Sequence, residues 1–308
     1  MTTPLKYYAY WYDLDIEEKG WYYSALEHLR GKHDISKTLE VEYDVTKIIK
    51  PPKEKKALFI PEGLTNLVTS TETFGTLARN EIRRRKKSPE LLVEHFKLQL
   101  CGMTTDPYFR GSIFIPYFDI NGELIYYQCR DVSGQRKAKY VYPHIRLTSN
   151  SKSDFLFIIQ SLLGTDKAFL VESFFNVAEL QTDLTLRNTI GAVGIGGSKL
   201  SPSQAALLAS FKQLKKLYIC FDGDAMENAY KAAKLLYMIA PHLTIYVIDS
   251  REFGTKPNLD KISYYDVDEV GFRRVLQQVK KTKRYSPLEI RKDIPILGSN
   301  SNTISYEW

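Results

Sequence analysis

Residues 217–233, LYICFDGDAMENAYKAA, run from an apolar stretch into a helical one and place Asp222 and Asp224 at the join. Successive residues of an extended chain point to opposite sides, so two aspartates separated by one residue face the same way. Gly223 between them adds no bulk. A third acid, Glu172, ends another apolar stretch, KAFLVE at 167–172. Three carboxylates in one crevice repel each other unless a cation sits between them, and oxygen donors with open water positions suit Mg²⁺ or Mn²⁺. A structural alternative uses the same residues: Asp224 caps the helix beginning at 225, and Asp222 favours its positive end.

The elements needed to bring these acids together are legible after residue 165. KAFLVE, TIGAVGI (189–195), KLYICF (216–221) and LTIYVID (243–249) are apolar along their whole length. They alternate with the helical patterns SFFNVAELQ, SPSQAALLASFKQL (201–214) and AMENAYKAAKLLYMI (225–239). That alternation predicts an α/β fold, a parallel sheet flanked by helices on both faces. In open sheets of this kind ligands lie beyond the carboxyl ends of the strands, where Glu172, Asp222 and Asp224 fall.

Upstream, the chain reads as a basic α+β region. SPELLVEHFKLQL (88–100) has Ser88 as an N-cap, Pro89 in the first helical position and apolar residues at helical spacing. GSIFIPYFD and NGELIYYQCRD are β-rich and joined at Asn121-Gly122, a hairpin signal. The first residues, KYYAYWYD and KGWYYSALEHLRGKHD, suggest short aromatic strands, and KPPKEKK (50–56) a linker. SYYDVDEVGFRRVLQQVKKTKRY (263–285) reads as one amphipathic helix turning basic, followed by an irregular tail. The expected organisation is an aromatic module and linker at 1–57, a basic α+β subdomain at 58–164, the parallel sheet at 165–252, a helical segment at 253–284 and a tail at 285–308.

The 308 residues carry a net charge of +7, with 44% hydrophobic and 26% charged residues, as in a globular chain with a polyanionic partner. Basic residues cluster at 50–56, 280–284 and in RNEIRRRKK (79–87); if helical, the last sets Arg79 and Arg83 on one face, with Arg84 beside them. No apolar run reaches the ~18–20 residues of a membrane span and the N-terminus lacks a signal-peptide core, so no membrane partner and a cytoplasmic location are expected. Cys101, Cys129 and Cys220 have no CxxC spacing, and His28 and His33 lack further partners, so no zinc is expected.

LVESFFNVAEL, AVGIGGS and YICFDGDAMENAYKAAKLL together resemble a TOPRIM domain, the acidic module of primases, topoisomerases and some nucleases. Across residues 88–275 the resemblance is to bacterial-type and phage DNA primases, carried also by RGSIFIPYFDINGELIYYQCRD and KAKYVYP in the same order. It implies that Glu172, Asp222 and Asp224 hold the metal. It places Arg110, Arg130, Lys137 and Lys139, with Lys152, along the cleft for template, nucleotide or primer, and Gly196 in a loop crossing near the metals. Bound cations would offset triphosphate charge, while basic side chains grip phosphates without reading sequence.

The chain departs from the family pattern in four places, one of them the helix after Asp224, where Met226 and Glu227 replace the usual Ala-Gly pair. Asn176 stands where an aspartate follows the first strand and offers an uncharged oxygen. Lys256, in GTKPNLDK, stands where another aspartate is expected, with Asp260 the nearby substitute. A cysteine-bearing zinc ribbon is missing, and residues 1–57 read as its aromatic, cysteine-free relic in which Trp11 and Trp21 are candidates for stacking on bases. The first reading is a primase core that makes RNA primers from ribonucleoside triphosphates on single-stranded DNA, from a phage or plasmid, beside a replicative helicase. The second is a subunit that binds single-stranded DNA or the helicase without synthesis, and the third a TOPRIM nuclease. No GxxxxGK[ST] loop is present for an ATPase-coupled nuclease.

Overall fold

The computed structural model describes residues 58–144, 148, 151–182, 189–256 and 264–286. Trp11, Trp21, His28, His33, Asp260 and the tail beyond 286 lie outside the described residues. Two sheets carry the architecture. The first has five antiparallel strands in sequential order: β1 (Leu64–Thr65), β2 (Gln99–Cys101), β3 (Ser112–Phe118), β4 (Leu124–Asp131) and β5 (Tyr140–Val141). Helices α1 (Thr73–Arg84) and α2 (Pro89–Phe96) lie between β1 and β2.

Local chemistry explains these boundaries. Ser88 Oγ accepts from the Leu91 N–H at 3.2 Å to cap α2, whose first residue is Pro89. The helix stops short of the expected 100: Lys97 turns left-handed (φ +55°) and β2 starts at Gln99. β3 and β4 form the expected hairpin, but over a loop from Asp119 to Glu123 in which the Asp119 carboxylate accepts from the N–H groups of Asn121 and Glu123, both at 2.9 Å. Gly122 supplies the positive φ of +84° that this loop requires.

The second sheet has four parallel strands in the order β7-β6-β8-β9, namely β6 (Lys167–Val171), β7 (Gly191–Gly194), β8 (Lys216–Ile219) and β9 (Thr244–Val247). Helices α3 (Phe174–Thr182), α4 (Pro202–Ser210) and α5 (Met226–Ile239) connect them. The strands alternate sides with period two. Phe169, Val171 and Tyr218 face a core shared with α3 and the first sheet. Ala168, Leu170, Leu217 and Ile219 face a separate core with α4 and α5. The chain leaves β6 for β7 on one side and crosses back to β8 on the other, so the strand order switches between β6 and β8.

Phe157 joins the two sheets. Its backbone exchanges hydrogen bonds with Gly194 at 2.8 and 3.1 Å, and its ring meets Tyr117 and Phe174 at centroid distances of 5.2 and 5.1 Å. A ring buried this fully contributes about 1.5–3 kcal/mol, which ties the basic region to the acidic one. Beyond β9, the single helix expected over 263–285 is broken into α6 (Val267–Val270) and α7 (Phe272–Lys281) by Gly271 at φ +80°. A capping box explains the new start: Asp266 and Glu269 satisfy each other's backbone N–H groups.

Candidate functional site

The acidic crevice is assembled by strand register. β6 and β8 are neighbours, with Leu170 beside Ile219, and both end at the same edge. Glu172 follows β6 directly, and the Asp222 N–H donates to Glu172 Oε1 at 2.7 Å. Asn176, in the first turn of α3, donates from Nδ2 to Asp222 Oδ1 at 3.1 Å. Its own Oδ1 is buried with no hydrogen-bond partner among the described residues. Gly223 is required by a close neighbour: a Cβ there would lie 2.5 Å from the Tyr264 side chain. Asp224 does not cap α5, because no side-chain cap bond is made at the start of that helix or of the turn before it.

Burial, reinforced by Asp222 and then Asp224, pushes Glu172 up to about 8. Burial likewise raises Asp222 to about 6, with Asn176 opposing and Asp224 and Asp268 adding to it. Burial and the charge of Asp222 raise Asp266 to about 7. Among the described residues no three His, Cys, Asp or Glu side chains are close enough to form a metal cage. The contiguous donor set is therefore Glu172, Asp222 and the orphaned Asn176 carbonyl oxygen, while Asp224 is exposed. Hard oxygens, two of them carboxylates that burial disfavours as free anions, fit Mg²⁺ or Mn²⁺, which keeps several waters and needs only one or two protein carboxylates.

The basic residues divide by what they touch. Gly196 lies beside the crevice, where its N–H donates to the Glu172 carbonyl at 3.0 Å and its φ is +68°. Lys152 reaches the same loop, with Nζ 3.2 Å from the Gly196 carbonyl and 4.7 Å above the Tyr142 ring. Lys137, Lys139 and Arg83 are exposed. Arg110 makes long contacts to the Thr105 carbonyl at 3.4 Å. Arg84 pairs with Glu81 at 2.8 Å.

No protein-family model matches this sequence, and no curated protein does. Solved structures do match. A DnaG primase catalytic domain bound to single-stranded DNA superposes with a TM-score of 0.54 at 16% identity, over 72% of this chain and 75% of its own. A DnaG catalytic core gives 0.53 at 18% identity, over 71% and 77% of the two chains. The zinc-binding and RNA polymerase domains of the Aquifex aeolicus primase give 0.52 at 19%, over 91% and 70%. The chain has the fold of a primase catalytic core. Its parallel sheet is the TOPRIM sheet of that fold.

Two of the residues expected to meet the template make internal contacts in this fold. Arg79 does not share an open face with Arg83: its Nη1 donates to the carbonyls of Leu67, Val68 and Ser70 at 3.0, 3.3 and 2.7 Å, pinning the turn ahead of α1. Arg130 is 8% exposed; its Nε and Nη2 donate to Glu81 Oε1 at 3.1 and 2.7 Å, and its guanidinium lies 5.4 Å from the Phe175 centroid. The reason is the same in both: a planar guanidinium with several donors is drawn to oxygens that folding leaves without partners.

The sequence reading also missed residues. Asp266 lies close enough to the crevice for its charge to couple with that of Asp222, and the Asp-x-x-Glu spacing of its capping box was the available signal. Arg136 had no local signal. Its Nη1 donates to Asp131 Oδ1 at 2.5 Å and its Nη2 to the Arg110 carbonyl at 2.8 Å, so it fixes the base of the loop that carries Lys137 and Lys139.

Proposed function

We propose that this chain is the catalytic core of a DNA primase, joining ribonucleotides into a short primer on single-stranded DNA. The observation that carries the reading is the Glu172–Asp222–Asn176 contact set, at the carboxyl ends of adjacent parallel strands where the strand order switches. Glu172 and Asp222 would hold the Mg²⁺ or Mn²⁺ ion, whose chemistry is to offset phosphate charge and to orient a primer 3′-hydroxyl toward the α-phosphorus, with pyrophosphate leaving. Asn176 fixes the Asp222 carboxylate through its Nδ2, and the Asp222 N–H fixes Glu172, so both oxygens are placed before any ligand arrives. Lys152 and the exposed Lys137 and Lys139 provide positive charge along the approach, gripping phosphates without reading bases. A replicative helicase is the proposed partner and a phage or plasmid the proposed source. No helix among the described residues is long and apolar enough to cross a membrane.

A second reading, a template-binding subunit without synthesis, is favoured by one observation: among the described residues Glu172, Asp222 and Asp224 do not form a closed cage. Both readings are tested by primer synthesis on mixed single-stranded DNA with labelled ribonucleotides and Mg²⁺ or Mn²⁺, comparing wild type with Asp222→Asn. Oligoribonucleotides that require the cation and vanish in the variant support the primase. Template binding by both proteins with product from neither selects the binding subunit. Shortened template selects the nuclease.

A further inference from the structure

The crevice contains a second acidic arm, and that arm brings a cation of its own. It comes from the chain beyond β9. A β-bridge pairs Thr255 with Tyr264, and the Tyr264 side chain packs against Gly223, between Asp222 and Asp224. Lys256 follows Thr255 and Asp266 lies two residues beyond Tyr264, so this bridge delivers both to the aspartate turn. The Lys256 ammonium sits 2.7 Å from Glu269 Oε2 and 3.9 Å from Asp266 Oδ2. The neighbouring Asp268 is occupied from the other side by Arg85 Nη1 at 2.6 Å. Asn176 is 1% exposed, donates from Nδ2 to Asp222 at 3.1 Å, and has an Oδ1 with no hydrogen-bond partner among the described residues.

We propose that the Lys256 ammonium takes the place of a second cation in this crevice, so that the chain binds one divalent ion, at Glu172, Asp222 and the Asn176 carbonyl oxygen. The inference rests on the metal reading of the crevice given above. Its physical basis is competition for the same oxygens. An ammonium bound to Glu269 and beside Asp266 supplies charge that a divalent ion would otherwise supply there, and it repels any second ion brought alongside. Lysine suits the role because its charge is a compact point with rotatable donors. Asn176 fits the same scheme, since a neutral oxygen adds a donor without adding charge that would call for another ion.

The test is a count of ions, independent of synthesis: the full chain is titrated with Mn²⁺ alone, followed by calorimetry and by the paramagnetic resonance signal of free Mn²⁺. Wild type is expected to bind a single ion. Lys256→Met, which keeps the apolar stem and removes the charge, is expected to bind a second ion at least about tenfold more tightly than wild type does. Lys256→Arg, which keeps the charge, is expected to behave as wild type. Two ions of similar affinity on wild type, or an unchanged single ion on Lys256→Met, would overturn the proposal while leaving the metal reading in place. No ion on wild type would overturn the metal reading itself and the proposal with it. Thermal melting checks that the variants fold; should Lys256→Met fail to fold, the wild-type count and Lys256→Arg still decide.

Discussion

At the carboxyl edge of the parallel sheet, Glu172, Asp222 and Asp266 crowd together in partial burial, and Glu172 is driven up to about 8. Around Glu81 the balance is reversed. Burial alone would raise that carboxylate, yet Arg84, Arg130 and Arg85 hold it down to about 2, and Arg85 reaches on to Asp268 while lying 4.2 Å over the Phe175 ring. One region leaves charge incompletely offset, and the other closes its charges into pairs. Buried charges that find partners act as fasteners, here joining α1, β4, α3 and α6. Charges left short of partners cost stability and gain from a ligand that supplies what is missing. Arg130, expected on the template path, is one of these fasteners through Glu81, while Arg79 donates to backbone carbonyls ahead of α1.

The sharpest way to break this comparison is Asp222→Asn. If the crevice is where charge awaits a cation, the substitution lowers cation-dependent primer synthesis by at least about a thousandfold while melting temperature does not fall. A loss of activity that tracks loss of fold would place Asp222 with the fasteners.

Glu81→Ala has the opposite character. It leaves the guanidinium groups of Arg84, Arg85 and Arg130 without their shared acceptor, and it should lower unfolding free energy by about 2 kcal/mol, measured by urea denaturation. An unchanged midpoint would show that the pairs contribute nothing net.

A smaller effect sharpens the comparison through its sign. Because Glu172 rises from an ordinary 4.5 to about 8 on folding, the folded chain holds that proton more tightly than the unfolded one. Its contribution to stability is present below about pH 4.5 and is lost as pH rises through about 8. In a chelator at pH 8, Glu172→Gln should therefore melt about 3 °C above wild type, and the difference should vanish at pH 4. Saturating Mg²⁺ should reduce it as well, by stabilising the ionised wild-type carboxylate.

The smallest expected effect is at the exposed lysines. Lys139→Ala should weaken single-stranded DNA binding only a few-fold and flatten its salt dependence by about 0.7 in the log–log slope, the signature of one phosphate contact. A large or salt-independent loss would mean that Lys139 does more than meet a phosphate.

Much of the acidic centre is legible in the sequence. KAFLVE ends in Glu172 and KLYICF is followed directly by Asp222, and the helical patterns between these apolar runs force a parallel sheet in which those ends coincide. The cap at Ser88 was equally visible, because a hydroxyl and the N–H three residues on are local partners. The break at Gly271 was visible only in part: periodicity continues across it, and the capping box inside the run competes with that periodicity.

What the sequence by itself determined is therefore the set of elements and the acids at their ends, since both follow from periodicity and neighbours within a few residues. Only the tertiary structure decided which charges are left over. Arg85 and Asp268 are 183 residues apart, Arg130 and Glu81 are 49 apart, and Asn176 and Asp222 are 46 apart. The first joins the two sheets' units, while the second depends on how α1 packs on the first sheet and the third on the register of β6 and β8. A side chain's charge is written in the sequence, but whether that charge is offset depends on partners that packing alone brings within hydrogen-bond distance.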